Sequence, residues 1–134
     1  MATLEEAEDL VDTLRSESLM LRTNCESFTY YDPTEDACAA AADALDRFLD
    51  EGAQRLLARG RAGDAAAVEQ LAAACMRLLG RARDIPAQVQ EGSRPQDLLA
   101  DLARDAARFA RSSSLHGTVG FVVGALAVLL VLRR

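Results

Sequence analysis

The amino-acid sequence predicts an all-α protein: a small bundle of about four amphipathic helices followed by one C-terminal transmembrane helix. Apolar residues recur at three- and four-residue intervals in four separate stretches, the spacing of one face of an α-helix. Half of the 134 residues are apolar, but many of these are Ala and only six residues are aromatic. Ala is the best helix former and adds little volume to a core, so the body should be helical with a thin interior. The last twenty residues differ from everything before them, being uncharged until the final two.

The first helix opens on a capping box, Thr3-Leu4-Glu5-Glu6, in which Thr and Glu satisfy each other's backbone N–H groups. Leu4, Ala7, Val11, Leu14, Ser18 and Leu21 then mark one face, which predicts a helix over residues 4–22, with Leu10, Leu19 and Met20 widening its stripe. A loop over residues 24–32 follows and carries half of the aromatic residues, Phe28, Tyr30 and Tyr31. These three form either the closure of one end of the bundle or a partner-binding or phosphorylated loop. Asp32-Pro33-Thr34-Glu35 is a strong helix start, with Asp as N-cap and Pro in the first turn. The second helix should run to about Arg59 and stop at Gly60, presenting Cys38, Ala41, Leu45, Phe48, Leu49, Leu56 and Leu57. Asp64 can cap the third helix, which presents Val68, Leu71, Cys75, Leu78 and Leu79 and should end near Asp84-Ile85-Pro86. The two helices should pack as an antiparallel hairpin. Pro86, Gly92 and Pro95 mark a connection. A fourth helix over about 95–112 shows Leu98, Leu99, Leu102, Ala106 and Phe109.

Residues 115–132 carry no formal charge. As a helix they would be about 27 Å long, enough to cross a hydrocarbon core with little tilt. The expected organisation is a cytosolic helical domain over 1–111, a Ser hinge over 112–114, a membrane anchor over 115–132 and a basic terminus at 133–134. So short a C-terminal remainder implies insertion after synthesis, with the N-terminal domain left in the cytosol. A short, moderately apolar span with a basic end suits the mitochondrial outer membrane better than the endoplasmic reticulum. Gly120 and Gly124 form a G-x-x-x-G pair with Gly117 one turn earlier, a stripe on which two membrane helices approach closely; homodimerisation through the tail is the expectation it raises.

Charge is unevenly distributed. Residues 1–51 hold fourteen acidic residues and three Arg, a net −11; residues 52–114 hold seven acidic residues and ten Arg, a net +3; Arg133 and Arg134 complete the total of −6. An acidic outer half and a basic half next to the tail suit a body that faces anionic headgroups. The three cysteines, Cys25, Cys38 and Cys75, are an odd number without motif spacing, so free thiols are expected, with Cys38 and Cys75 as small core residues. The single His, His116, lies at the edge of the tail. No nucleophile motif, phosphate loop or metal-ligand cluster is present, so catalysis, a metal and a cofactor are not expected. Nor is nucleic acid, since the body is net acidic. The expected partners are a membrane and a protein.

Helix two contains Cys38-Ala39-Ala40-Ala41-Ala42-Asp43-Ala44-Leu45-Asp46. This stretch resembles the BH3 helix of the Bcl-2 family: apolar at Cys38, Ala41 and Leu45, small at Ala42, and then Asp43. Phe48-Leu-Asp-Glu-Gly52 resembles a BH1 segment, and the tail anchor fits the same family. The resemblance has Cys38 where Leu is usual and covers about fifteen residues plus the tail. It implies an apoptosis regulator at the mitochondrial outer membrane, in which Asp43 meets a partner Arg and Leu45 fills a groove. The other roles open to the chain are recruitment of a partner by a generic helical body, with Phe28, Tyr30 and Tyr31 in contact, and a membrane-dimerising structural role carried by Gly117, Gly120 and Gly124.

Overall fold

The computed structural model describes the backbone of residues 1–27 and 32–119, and side chains over 1–23 and 36–112. Among the described residues every regular element is helical: α1 (Leu4–Ser27), α2 (Asp32–Arg47), a π turn (Phe48–Gly52), α3 (Ala53–Arg61), α4 (Ala65–Gln90) and α5 (Pro95–Val119). The capping box forms as expected. Thr3 N–H donates to Glu6 Oε1 at 2.8 Å, and Glu6 N–H donates to Thr3 Oγ1 at 3.1 Å.

Several helix ends differ from the sequence expectation. α1 runs on to Ser27, into the expected loop, because no Gly or Pro interrupts the chain before Pro33. The second helix is nearly continuous to Arg61 but contains a π turn, in which Ala53 N–H reaches the Phe48 carbonyl five residues back. The Gln54 side chain donates to the Leu49 carbonyl within the same turn. Phe48, Leu49, Ala53, Leu56 and Leu57, in and after this turn, are all buried. α4 passes through Pro86 to Gln90. Proline removes one helical hydrogen bond and crowds the carbonyl four residues back, here that of the half-buried Ala82; residues 86–90 are exposed. Residues 112–114, expected as a hinge, lie inside α5.

Two turns of one design reverse the chain. Gly63 and Gly92 have φ of +101° and +106°. Asp64 N–H bonds to the Arg59 carbonyl and Gly63 N–H to Gly60, while Ser93 N–H bonds to Gln88 and Gly92 N–H to Val89. Both are Schellman motifs, which place glycine in the left-handed region just past a helix end. Asp64 then caps α4, accepting from Ala67 N–H at 3.2 Å.

The core is shared by all five helices. Leu14 comes from α1, Cys38, Ala41 and Leu45 from α2, Phe48 and Leu49 from the π turn, and Leu56 from α3. Leu71, Cys75 and Leu78 come from α4, and Leu99, Leu102 and Ala106 from α5. α5 packs most extensively on α2, and α1 packs on α2 and α4. Phe48 and Phe109 meet with ring centroids 6.4 Å apart and planes tilted by 57°, a favourable aromatic arrangement. No helix among the described residues is long and apolar enough to cross a membrane; the apolar run lies mostly beyond Val119.

Candidate interaction surfaces

The BH3-like stretch is divided between interior and surface. Cys38, Ala41 and Leu45 all face the core, so the apolar stripe expected to meet a partner is spent on the protein's own packing. Asp43 points outward, its side chain 71% exposed, and pairs within the chain with Arg22 of α1 at 2.6 Å. The same guanidinium holds Asp46 at 2.8 Å, and Asp46 accepts from the buried Ser18 hydroxyl at 2.8 Å. The two carboxylates, Asp43 before Asp46, raise the Arg22 pKa above its ordinary value. This polar seam joins α1 to α2. Ser18 was legible as a position on the α1 stripe, but nothing in the sequence pointed to its partners.

The aromatic residues Phe28, Tyr30 and Tyr31 lie outside the described residues, as do Gly120 and Gly124. Gly117 lies in the last turns of α5.

The cysteines correct one expectation. Cys38 is disulfide-bonded and buried, whereas Cys75 is free. Burial pushes the Cys75 thiol up to about 12, which removes its thiolate at neutral pH and makes it an unreactive core residue. Among the described residues there is no group of three or more His, Cys, Asp or Glu able to hold a metal ion.

Two exposed surfaces remain. A shallow groove of about 430 Å³ lies between α1 and α4, with Met1, Leu10, Ala72 and Met76 on its apolar side and Glu6 and Asp9 on its acidic side. Leu19 and Met20, expected to widen the buried stripe of α1, are instead 67% and 54% exposed. They lie toward the C-terminal half of this acidic helix.

The second surface is basic and joins α4 to α5. Asp105 is almost fully buried, its side chain 9% exposed, and three guanidinium groups converge on it. Arg108 reaches one oxygen at 3.0 Å; Arg77, at 3.4 Å, and Arg81 face the other. The contacts at the second oxygen are ion pairs rather than aligned hydrogen bonds. Arg104 pairs with Asp101 one turn earlier in α5, and Arg111 is exposed one turn later. Arg104, Arg108 and Arg111 thus form a stripe on α5, with Arg77 and Arg81 of α4 beside it. The sequence showed a basic half next to the tail; the convergence of α4 and α5 arginines on one carboxylate is a tertiary fact.

No protein-family model, curated protein or solved structure matches this chain.

Proposed function

We propose that this chain is a tail-anchored, single-pass membrane protein whose helical body faces the cytosol and recruits or regulates a protein partner at an organelle membrane, in preference the mitochondrial outer membrane. The observation that carries this reading is the course of α5. The helix begins among the core residues Leu99, Leu102 and Ala106 and continues without a break to Val119, five residues into the apolar run of 115–132. A helix that starts in the core and runs on toward a membrane would hold the body at a defined attitude to the bilayer. Recruitment rather than catalysis is supported by the chemistry of the body: its free cysteine is held as a thiol by burial, and its grooves are shallow and open.

The test is the location in cells of an N-terminal fluorescent fusion with and without residues 115–134. Membrane signal from the full chain and diffuse signal from the truncated one is the expected result. Diffuse signal from both would overturn the anchor.

A Bcl-2-like role is the second reading; it rests on the spacing of Cys38, Ala41, Asp43 and Leu45, and of these Asp43 is the one on the surface, where it pairs with Arg22 of the same chain. Replacing Asp43 by Ala should then abolish partner binding and any cell-death phenotype. Both surviving the change would remove this reading.

A further inference from the structure

We propose that the Arg-rich face of α4 and α5 is a docking surface for the anionic phosphate headgroups of the membrane in which the tail is anchored, a proposal that rests on the anchored reading above. Three guanidinium groups share the single buried carboxylate of Asp105, so two positive charges are left uncompensated at this point. The side chains of Arg77, Arg81 and Arg108 are each about half exposed. Arg111 adds a further charge, and Arg104 is balanced by the exposed Asp101. Asp105 does more than lower the charge: from its buried position it holds Arg groups of two different helices together, which keeps them at one site against their mutual repulsion. Guanidinium groups suit this role because their planar donors match phosphate oxygens.

The position of the patch selects a membrane over another polyanion. At 1.5 Å per residue, Arg111 stands about 6 Å and Arg108 about 10 Å along α5 from Leu115, where the uncharged run begins. The headgroup layer on each side of a hydrocarbon core is roughly 5–8 Å thick. An Arg side chain can span the difference, so the lower end of the stripe meets phosphates as soon as the tail is in place. Arg104 and Arg81 lie about one turn farther out and come into contact when the body leans toward the surface on its α4–α5 side. The described part of α5 leads directly into thirteen further residues that carry no charge before Arg133. The acidic α1 packs on α2 and α4, while α5 packs most extensively on α2.

The full chain, purified in detergent, is diluted into vesicles of phosphatidylcholine alone or with about one third phosphatidylserine, and the lipid concentration for half-maximal flotation is measured. Each Arg near an anionic surface strengthens attachment about fivefold. Phosphatidylserine should therefore lower the half-maximal concentration by tenfold or more, and salt at about 0.5 M should erase the difference. Arg77→Gln with Arg111→Gln leaves Asp105 paired with Arg81 and Arg108 and should shrink the preference about twenty-five-fold or to nothing. The same pair changed to Lys should keep it. Far-UV circular dichroism reports whether each variant is folded. Equal flotation on both vesicles would overturn the proposal and leave the anchor standing; it is the result expected if the face served an acidic protein instead. A preference for phosphatidylserine that the Gln pair leaves untouched would also overturn it, by moving the contact elsewhere. Flotation on neither vesicle would overturn the anchored reading and this proposal with it.

Discussion

Gly60 and Gly80 are both helical, and they predict opposite responses to the same substitution. A Cβ at Gly60 would lie 2.8 Å from Val68 Cγ2 and 3.3 Å from Leu4 Cδ1, whereas one at Gly80 would meet nothing within 4 Å. Replacing a helical Gly by Ala gains about 0.5–1 kcal/mol, mainly by reducing the freedom of the unfolded chain. At Gly80 nothing opposes that gain. At Gly60 the end of α3 crosses the starts of α4 and α1, and inserting a methyl into such a contact costs about 1–3 kcal/mol. The Leu4 methyl can turn aside, but Val68 is β-branched and stiff at χ1. Gly80→Ala should therefore stabilise by about 0.5–1 kcal/mol, and Gly60→Ala should destabilise by about 1 kcal/mol net. For a body of this size 1 kcal/mol moves the melting temperature by roughly 4–8 °C. Thermal melts of the full chain in non-ionic detergent, followed by far-UV circular dichroism, should thus shift in opposite directions. In a Val68→Ala background the clash is gone, and Gly60→Ala should become neutral or stabilising. Equal stabilisation by Gly60→Ala and Gly80→Ala would refute the close approach of α1, α3 and α4.

The cysteines give a count: the unfolded, unreduced chain should take up one iodoacetamide by mass spectrometry and three after reduction, while the native chain takes up none at Cys75 because its thiol is buried and pushed up to about 12. Asp64 is held below the usual carboxylate range, first by the Arg59 hydrogen bonds and then by Ala67 N–H. A lowered folded-state pKa stabilises above the unfolded value of about 4 and is lost as pH falls through the folded value. The melting temperature should accordingly drop between pH 5 and pH 3 in ~0.1 M salt, and Asp64→Asn, which can still cap α4, should flatten that drop; an unchanged slope would discard the pair as its source. Asp43→Ala should alter stability by no more than about 0.5 kcal/mol, since the Arg22–Asp43 pair is exposed. Leu45→Ala should destabilise by about 2–5 kcal/mol, since Leu45 is wholly buried. Matched denaturation curves would separate loss of recognition from loss of fold in any binding assay on α2.

Local chemistry was legible in the sequence where it is settled by neighbouring residues. Thr3–Glu6, Asp64 and the Gly60–Gly63 turn act over three to five positions, and the apolar stripes of α2, α3 and α4 are one-dimensional patterns; these all appear in the fold. The end of α1, the passage of α4 through Pro86 and the π turn were not legible, because each depends on what packs or fails to pack around it. The same division applies to the candidate surfaces. Asp43 could be seen as a spacing, and the basic half next to the tail as a composition. That Asp43 pairs with Arg22, and that Arg77 and Arg81 join Arg108 on Asp105, depends on which helices lie side by side.

The burial of α2 bears on how any partner could engage this body. Cys38, Ala41 and Leu45 occupy the interior beside Phe48 and Leu49, so a partner that required this face would first have to expose it. Losing the burial of Leu45 alone is worth about 2–5 kcal/mol, and each 1.4 kcal/mol lowers apparent affinity about tenfold. A partner bound through α2 would thus begin at a deficit of one to several powers of ten, and its binding would be tied to opening of the bundle. The faces already outside carry no such penalty. The acidic α1, with Leu19, Met20 and the α1–α4 groove, and the basic α4–α5 stripe differ in sign. The exposed side chains of α1 are available to a basic or apolar partner without any change of fold. On energetic grounds, recognition through α1 with the bundle intact is favoured over exchange of the α2 helix. The two modes separate experimentally: α2 exchange would weaken in step with each gain in bundle stability, such as that from Gly80→Ala, and recognition through α1 would not.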